Sequence, residues 1–370
     1  MRKSKGILFF LLVCLGVMPL HAQELYIPWK ESFSSLRPLF RQDTVTLLFG
    51  GDLMMHKRQL EYDHRTFLEP VRSYLERADL AVVNMEFTLA GEPYTGYPAF
   101  STPESYPRYA ADCGVDVFLT ANNHILDKGK SGLVRTLQRY REMEQERHIR
   151  ITGTAEDAAA DTASNPLVMA VKGIRIALIN FTYGTNQKAT SVWPKINGMD
   201  KEDICAAIRR ARRRNVDLII ALPHWGTEYR LRHDPEQEAF ALWLAGQGVD
   251  AIIGAHPHVV QDAGLIKTPG REVPVFYSLG NLVSNMTAPN TRLELFVTLR
   301  VTRDRFGELH MLPPRADYLW CSQPGCLTDT YQALAVRDFI GKRDLWRDPS
   351  DYDNMIQTYN RVKAATGIKD

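Results

Sequence analysis

Two histidines separated by a single residue follow an apolar run in the second half of the chain. The run at residues 249–253 leads into His256, Pro257 and His258. Proline disfavours the helical conformation of the residue before it, so His256 is expected to be extended. Side chains at positions i and i+2 of an extended chain point to one side, and both imidazoles are then expected to face the same space. Such a pair can supply two nitrogen ligands to a transition metal.

The spacing of this pair indicates how many ions it would serve. Same-side positions of an extended chain lie about 6.5 Å apart, at roughly 3.3 Å per residue. This separation suits two ions better than one. We therefore predict that His256 and His258 bind different metals.

Four other apolar runs are also followed closely by side chains suited to a metal. These side chains are Asp52, Glu86, Asn123 with His124, and His224, after the runs at 45–49, 80–83, 115–119 and 216–222. If the runs are neighbouring parallel strands, their carboxyl ends share one edge. Oxygen and imidazole ligands without thiolate suit Mn, Fe or Zn, and six ligands are too many for one four-coordinate ion. The pattern indicates a binuclear site that would activate a bridging water.

Each of these residues also has a structural interpretation when it is taken alone. Asp52 could cap a turn or helix after two glycines, and Glu86 could be a solvated acid. Asn123 could serve a turn, and His224 could be a core histidine that holds a carbonyl. Their common position after the strands favours the metal site. The other histidines follow no such strand and are interpreted as surface or structural: His56, His64, His148, His233 and His310.

The order of segments predicts the elements that would position these side chains. Helical spacing of apolar residues predicts helices at 66–78, 132–146, 201–214 and 235–246, alternating with the strand-like runs. A hairpin is predicted at 167–171 and 174–181, and surface loops at 91–107 and 153–166. The first loop is long enough for a functional flap, or is held by its own aromatic residues. Later runs at 273–279 and 292–302 indicate antiparallel sheet, and 329–365 indicates two helices.

Composition and the first residues indicate an exported protein. The 370 residues are 45% hydrophobic and 24% charged, as in a soluble globular protein with a large core. Basic residues precede an apolar segment at 7–17 that is too short to span a bilayer comfortably, which is typical of a signal peptide. Cleavage is predicted near Ala22, giving a periplasmic or extracellular protein with a formal charge of −1. No nucleic-acid footprint is visible, and nucleic acid is not an expected partner.

The cysteines are interpreted for an exported protein as well. An exported protein favours oxidation, so Cys321 and Cys326 are expected to form a local disulfide. Cys113 and Cys205 lie in predicted helices and are expected to be buried thiols.

Several short motifs resemble the capsule-synthesis family CapA, also called poly-γ-glutamate biosynthesis proteins, within the calcineurin-like metallophosphoesterase fold. The matching pieces lie at 49–54, 84–86, 120–124 with 127–129, 223–228, 254–258 and 277–281. The resemblance covers about residues 44 to 300. It implies an α/β fold with a metallo-dependent phosphatase-like two-sheet sandwich flanked by helices. The expected organisation is a signal peptide (1–22), an N-terminal segment (23–43), a CapA-like domain (44–320) and a C-terminal helical extension (321–370).

The resemblance also implies roles for individual residues. One divalent ion would be held by Asp52 and His258, and the other by Asn123, His224 and His256, with Glu86 in the place of the bridging acid. His124 matches the catalytic histidine that donates a proton to the leaving group or steadies the transition state. The residues expected to orient these groups are Asn84, Asp127, Glu228 and Asn281.

The sequence departs from the wider phosphoesterase pattern at the first ion. A histidine normally stands two positions after the first aspartate, and this chain has Met54 there. The usual Gly-Asp-x-x-Asp is replaced by Asn84-Met85-Glu86. The first ion therefore lacks an expected nitrogen ligand. Either it is held more weakly, or His56 or water takes that place.

Three functions follow as hypotheses. The leading one is an exported metal-dependent hydrolase that cleaves an amide or phosphoester bond of an extracellular anionic polymer or peptide. The second is a non-catalytic polymer-binding or assembly factor with a degenerate metal site and envelope partners. The third is an extracytoplasmic phosphodiesterase or nucleotidase, suggested by the fold alone.

Overall fold

The computed structural model describes the backbone of residues 25–28 and residues 44–189 and 192–370. The predicted signal peptide lies outside the described residues, as does most of the N-terminal segment. Among the helices that the described residues form, none has both the length and the apolar character needed to cross a membrane.

Within the described residues, sixteen strands form two large sheets and one small one. They are β1 (Leu25–Pro28), β2 (Val45–Leu53), β3 (Leu80–Met85), β4 (Val117–Leu119), β5 (Arg150–Thr152), β6 (Thr154–Ala155), β7 (Leu167–Val171), β8 (Ile174–Thr182), β9 (Lys195–Ile196), β10 (Leu218–His224), β11 (Ala251–Ile253), β12 (Ala263–Thr268), β13 (Arg271–Phe276), β14 (Leu293–Arg303), β15 (Leu309–Ser322) and β16 (Gln332–Ala335). The first sheet has the order β1-β12-β13-β11-β10-β8-β7, and the second has the order β16-β15-β14-β2-β3-β4-β5. The small sheet pairs β6 with β9.

Each large sheet has a parallel centre. In the first sheet β8, β10, β11 and β13 run parallel, and in the second β2, β3, β4 and β5 do. The sheets pack face to face over one hydrophobic core that includes Leu47 and Val82 from the second sheet and Leu178 and Ile220 from the first. The predicted α/β sandwich of two sheets is therefore confirmed, and both sets of parallel strands end at the same side of the molecule.

Helices surround the two sheets, and the last two of them pack against the core between the sheets. They are α1 (Arg72–Arg77), α2 (Ser105–Asp112), α3 (Gly129–Arg147), α4 (Ala158–Ser164), α5 (Lys201–Arg213), α6 (Pro235–Gly246), α7 (Val336–Phe339) and α8 (Pro349–Thr366). Ile204 of α5 and Leu244 of α6 pack with Ile219 and Val275 on the outer face of the first sheet. Tyr140 of α3 packs with Phe118 on the outer face of the second.

Two predicted segments differ from the structure. The helix predicted at 66–78 is short 3-10 turns followed by α1, because Pro70 stands in the turn Glu69–Val71 and cannot donate a backbone hydrogen bond. The surface loop predicted at 153–166 contains α4, which Asp157 caps by accepting a hydrogen bond from the Ala160 amide at 2.8 Å.

The C-terminal region and its cysteines also differ from expectation. Residues 329–365 contain β16 as well as helices, and β16 pairs antiparallel with the end of β15. The second sheet thus includes part of the predicted helical extension. Cys321 and Cys326 are free thiols rather than a disulfide. The Cys321 side chain packs in the cluster outside the second sheet, whereas Cys326 packs against the core between the sheets.

Candidate metal centre

The strand ends bring the predicted metal-binding side chains to one edge of the sandwich. Asp52 lies in β2, Glu86 directly follows β3, and Asn123 follows β4, so these three come from the second sheet. From the first sheet, His224 ends β10, and His256 and His258 follow β11. All six are buried, as is His124.

Backbone contacts fix Asp52 between the two sheets. Its amide donates to the Gly280 carbonyl at 2.9 Å, and its carbonyl accepts from the Leu282 amide at 2.9 Å. A Cβ at Gly51 would lie 1.9 Å from the Gly280 carbonyl oxygen, so only glycine allows this close approach. The glycine directly before Asp52 is therefore a requirement of packing.

The Asp52 carboxylate is held in its ionised form. It accepts from Asn84 Nδ2 at 2.7 Å and from the His256 amide at 3.2 Å. Burial alone would raise the pKa of Asp52, but the contact with His258 and the charge of His224 outweigh burial and bring this pKa to about 2. Asp52 can therefore act as an anionic ligand over the whole neutral range.

Glu86 lies at the centre of the cluster. Its Oε1 is 3.7 Å from His258 Nε2, 3.8 Å from His224 Nε2 and 4.0 Å from His124 Nε2. This oxygen is buried and accepts no hydrogen bond from the described residues. Burial and the nearby charge of Asp52 raise the pKa of Glu86 well above its usual value. A buried carboxylate oxygen faced by three imidazoles and lacking a donor fits a cation ligand.

Two sets of ligand atoms share Glu86. One consists of Asp52, Glu86 and His258, and the other of Glu86, His224 and His256, with the atoms of each set within 4.8 Å of one another. His256 and His258 are also close enough to form a set with the exposed Glu228. The first two sets keep His256 and His258 apart, as predicted, whereas the third places both histidines in one set. The division of the histidines between two ions therefore stays a prediction, as does the number of ions.

The imidazoles of the second set favour the neutral form that binds metals. Burial lowers the pKa of His224 to about 3. Burial and neighbouring histidines lower the pKa of His256 well below its usual value. The buried Nδ1 of His256 has no hydrogen-bond partner among the described residues. His224 Nε2 lies 2.8 Å from Asn123 Oδ1, which brings two of the predicted ligands together.

The backbone at the histidine pair is not extended. His256 has φ 100° and His258 has φ 57°, so the expectation drawn from Pro257 is wrong for both residues. Hydrogen bonds to distant parts of the chain impose this conformation, because Asp52 accepts from the His256 amide at 3.2 Å and the Pro257 carbonyl accepts from the Tyr229 amide at 2.9 Å. The two ring centroids are nevertheless 5.8 Å apart.

The predicted catalytic histidine is oriented by a carboxylate. His124 Nδ1 lies 2.7 Å from Asp127 Oδ2, which also accepts from the Phe100 amide at 2.8 Å. The Phe100 ring packs edge-on against the imidazole, with centroids 4.7 Å apart. With Nδ1 held in this way, Nε2 is directed towards Glu86 and the centre of the cluster.

The other predicted orienting residues lie close to the ligands. Asn281 Oδ1 is 2.9 Å from His258 Nδ1, and its Nδ2 donates to the Thr291 carbonyl at 3.0 Å. Asn84 Nδ2 contacts Glu86 Oε2 at 3.5 Å in addition to its bond with Asp52. These amides keep the ligand side chains in place, as outer hydrogen bonds do around metal sites.

Three asparagines at this edge were missed by sequence reasoning. Asn122 Oδ1 accepts from the His124 amide at 3.2 Å, and Asn186 Nδ2 lies 3.1 Å from His124 Nδ1. Asn180 Oδ1 accepts from the Ala121 amide at 2.8 Å, while its Nδ2 donates to the Leu222 carbonyl at 2.8 Å, which ties the two sheets together. A single asparagine inside the apolar run of β8 is the signal that could have found Asn180.

Met54, which stands in the place of the expected histidine, and His56, which was considered as its substitute, both contact other parts of the molecule. Met54 is buried in the hydrophobic cluster outside the second sheet. His56 Nδ1 lies 3.1 Å from Gln59 Oε1 and accepts from the Asn285 amide at 3.2 Å. Burial lowers the pKa of His56 to about 4. Among the described residues, no set of candidate ligands includes His56, which agrees with a structural interpretation.

The chain is similar to known proteins in both sequence and structure. The family model described as bacterial capsule synthesis protein PGA_cap matches residues 46–286. The capsule biosynthesis protein CapA of Bacillus anthracis is 27% identical over 302 residues, which cover 77% of this chain and 71% of that protein. The PGA biosynthesis protein CapA of Bacillus subtilis is 24% identical over 289 residues, covering 74% and 72%. The solved structure of Haemophilus influenzae NAD nucleotidase is 13% identical, with a TM-score of 0.46 over 87% of this chain and 68% of that one.

Proposed function

We propose, since this chain belongs to the bacterial capsule synthesis protein family PGA_cap, that it is an exported metal-dependent hydrolase acting on an extracellular anionic polymer. The bond cleaved is an amide or a phosphoester. The protein works in the periplasm or outside the cell, after removal of residues 1–22.

The observation that supports this proposal is the position of Glu86. Its Oε1 is buried, has no donor among the described residues, and lies within 4.0 Å of three imidazole nitrogens. A carboxylate in such a place is costly to bury unless a cation neutralises it. The arrangement favours two divalent ions, Mn, Fe or Zn, on either side of Glu86.

The residues around Glu86 have different roles in the proposed reaction. Bound ions would supply Lewis acidity and lower the pKa of a water molecule. Asp52 and the neutral imidazoles of His224 and His256 act as ligands. His124, oriented by Asp127, donates a proton to the leaving amine or alkoxide, which is the role of a general acid near neutral pH.

Metal content and turnover test the proposal together. Protein purified without chelators is expected to hold two ions, and His256→Ala is expected to hold one or none. His148→Ala is the matched control, since it removes an exposed imidazole that belongs to none of the candidate ligand sets in the described chain. After chelation, loss of activity on γ-glutamyl peptides or on simple phosphoesters, restored by adding metal, would identify the bond. Activity that persists after complete removal of metal would contradict the proposal.

A second candidate is a polymer-binding or assembly factor without turnover, working with partners in the envelope. The observation that favours it is Met54, which stands in the place of an expected nitrogen ligand and is buried away in a hydrophobic cluster. In this case an anionic polymer binds without being cleaved, and its affinity is unchanged in His124→Ala. Turnover that His124→Ala abolishes would exclude this function.

A further inference from the structure

A groove lies at the edge of the sandwich opposite the metal centre. It has a volume of about 780 Å³ and is lined by the start of β10, the start of β13 and the β14–β15 hairpin. The strand β10 has seven residues between this edge and His224. At about 3.3 Å per residue, the groove and the metal centre are roughly 20 Å apart.

Two arginines in this groove form no salt bridge within the described part of the chain, although Asp317 lies near one of them, Arg315. Arg271 pairs with Asp250 at 2.8 Å, so its charge is balanced. Arg300 and Arg315 both line the groove, and within the described part of the chain neither forms an ion pair. The Nε of Arg300 is buried and has no acceptor among those residues. Burial and the charge of Arg315 lower the pKa of Arg300.

Two like charges side by side, one of them with a buried unpaired N–H, are unfavourable without an anion. A carboxylate matches the planar fork of a guanidinium and can accept two hydrogen bonds from it. The groove also contains the carboxylates of Asp217, Asp250 and Glu272, and these are paired with Arg303, Arg271 and Lys267. Apolar side chains, among them Leu218, Leu309 and Met311, form another part of the wall. A ligand that fits both surfaces carries carboxylates on a chain with methylene groups.

We propose that this arginine groove binds a segment of a carboxylate-bearing polymer, with Arg300 and Arg315 as the anion-binding groups. The polymer class follows from the proposed function, but the groove is a second site that holds the chain at a distance from the metal centre. Binding here needs no turnover. A protein with an inactive metal centre would still bind through the groove.

The experiment measures equilibrium binding of a short γ-linked oligoglutamate to the full chain in buffer with excess chelator, which removes the contribution of metal. Arg300→Gln and Arg315→Gln are each expected to weaken binding about tenfold, since each removes one charge-assisted contact. Arg65→Gln is the control: it removes the same charge from an exposed arginine paired with Asp63, and it should bind like wild type. Arg315→Gln keeps the test available if Arg300→Gln fails to fold.

Four results would overturn the inference. One is unchanged affinity in both groove variants, and another is an equal loss in Arg65→Gln, which would reflect net charge alone. The third concerns the ligand: polyphosphate that binds more tightly than oligoglutamate would assign the groove to phosphate. The fourth concerns the size of the ligand. If free glutamate bound as tightly as the oligomer, the ligand of the groove would be a small carboxylate instead of a polymer. Failure of the hydrolase proposal leaves each of these binding results unchanged.

Discussion

Two clusters in this molecule contain the same types of side chain, yet only one has the properties of a metal site. Asp52, Glu86 and His258 lie buried at the carboxyl ends of the strands, and Asp304, Glu308 and His310 lie in the β14–β15 hairpin. The ligand atoms of both sets are within 4.8 Å of one another. Proximity alone therefore does not separate them.

The difference lies in what the oxygen atoms already bind. In the hairpin, Asp304 Oδ1 accepts from the Phe306 amide at 2.8 Å and the Glu308 amide at 2.9 Å, and Oδ2 lies 3.0 Å from His310 Nε2. These bonds satisfy the carboxylate without a cation. At the buried cluster, Glu86 Oε1 has no donor among the described residues. An unsatisfied buried oxygen is thus the more useful criterion for a metal ligand.

Glu294 adds a third case to this comparison. Both of its carboxylate oxygens are buried and unpartnered within the described chain, like Glu86 Oε1. No imidazole joins it in any candidate ligand set formed by those residues. Burial raises the pKa of Glu294 well above its usual value, as it does for Glu86. What separates the two residues is therefore the set of imidazoles that faces Glu86, and not the pKa.

The largest expected effect is that of Glu86→Gln. The amide is neutral and a weaker ligand than a carboxylate, so any ions that Glu86 would hold should be bound more weakly. Losing an outer hydrogen-bond partner of a metal ligand costs about 10- to 100-fold, and losing the shared ligand should cost more than about 100-fold in activity. Elemental analysis and turnover of the purified variant measure both effects. A variant that keeps two ions would show that Glu86 is not the bridge.

Asp127→Asn should have the next largest effect. The amide cannot hold the His124 imidazole in the same way, so kcat should fall about 10- to 100-fold, as expected when a general acid is misplaced. Metal content should not change, because Asp127 belongs to none of the candidate ligand sets in the described chain. A parallel loss of metal would instead assign Asp127 a role at the ions.

Glu294→Gln should stabilise the protein at neutral pH. The folded state keeps Glu294 protonated above the ordinary glutamate value of 4.5, while the unfolded state releases the proton. The unfolding free energy of the wild type therefore falls as pH rises above 4.5. The glutamine variant lacks this pH-dependent contribution, so its stability relative to the wild type should rise as pH increases above 4.5. Urea unfolding at several pH values measures the difference, and a gain independent of pH would contradict the assignment.

The smallest effect is expected for a substitution in the β14–β15 hairpin. His310→Ala should leave metal content and activity unchanged and alter the unfolding free energy by no more than about 0.5 kcal/mol, as is usual for surface substitutions. A measurable loss of bound metal would remove the distinction between the two clusters.

The alternation of strands and helices was enough to predict where the ligands meet. Asp52, Glu86 and His224 could be found because each stands at the end of an apolar run, and parallel strands bring such ends together. The conformation at His256 and His258 could not be found, because it depends on a hydrogen bond from the His256 amide to Asp52, which is 204 positions away. Local preference next to a proline predicts the opposite conformation.

The same limit applies to the supporting residues. Asn180 and Asn186 act through contacts that join β8 and its following loop to the Ala121 and His124 region of the other sheet. Nothing in the residues flanking them in the sequence indicates those partners. The break in the helix predicted at 66–78, by contrast, could have been found from the sequence. Pro70 is visible there, and its missing amide hydrogen explains the 3-10 turn.

The division of the ligands between the sheets gives metal ions a mechanical role. Asp52 and Glu86 belong to one sheet and His224, His256 and His258 to the other. Ions held by both groups would act as cross-links between the two layers and oppose their sliding apart. Because bound ligand stabilises only the folded state, ions present at about 100 times their dissociation constant would add about 2.7 kcal/mol per site. Calorimetric melting curves recorded at increasing metal concentration would then trace the loading of the centre without any substrate.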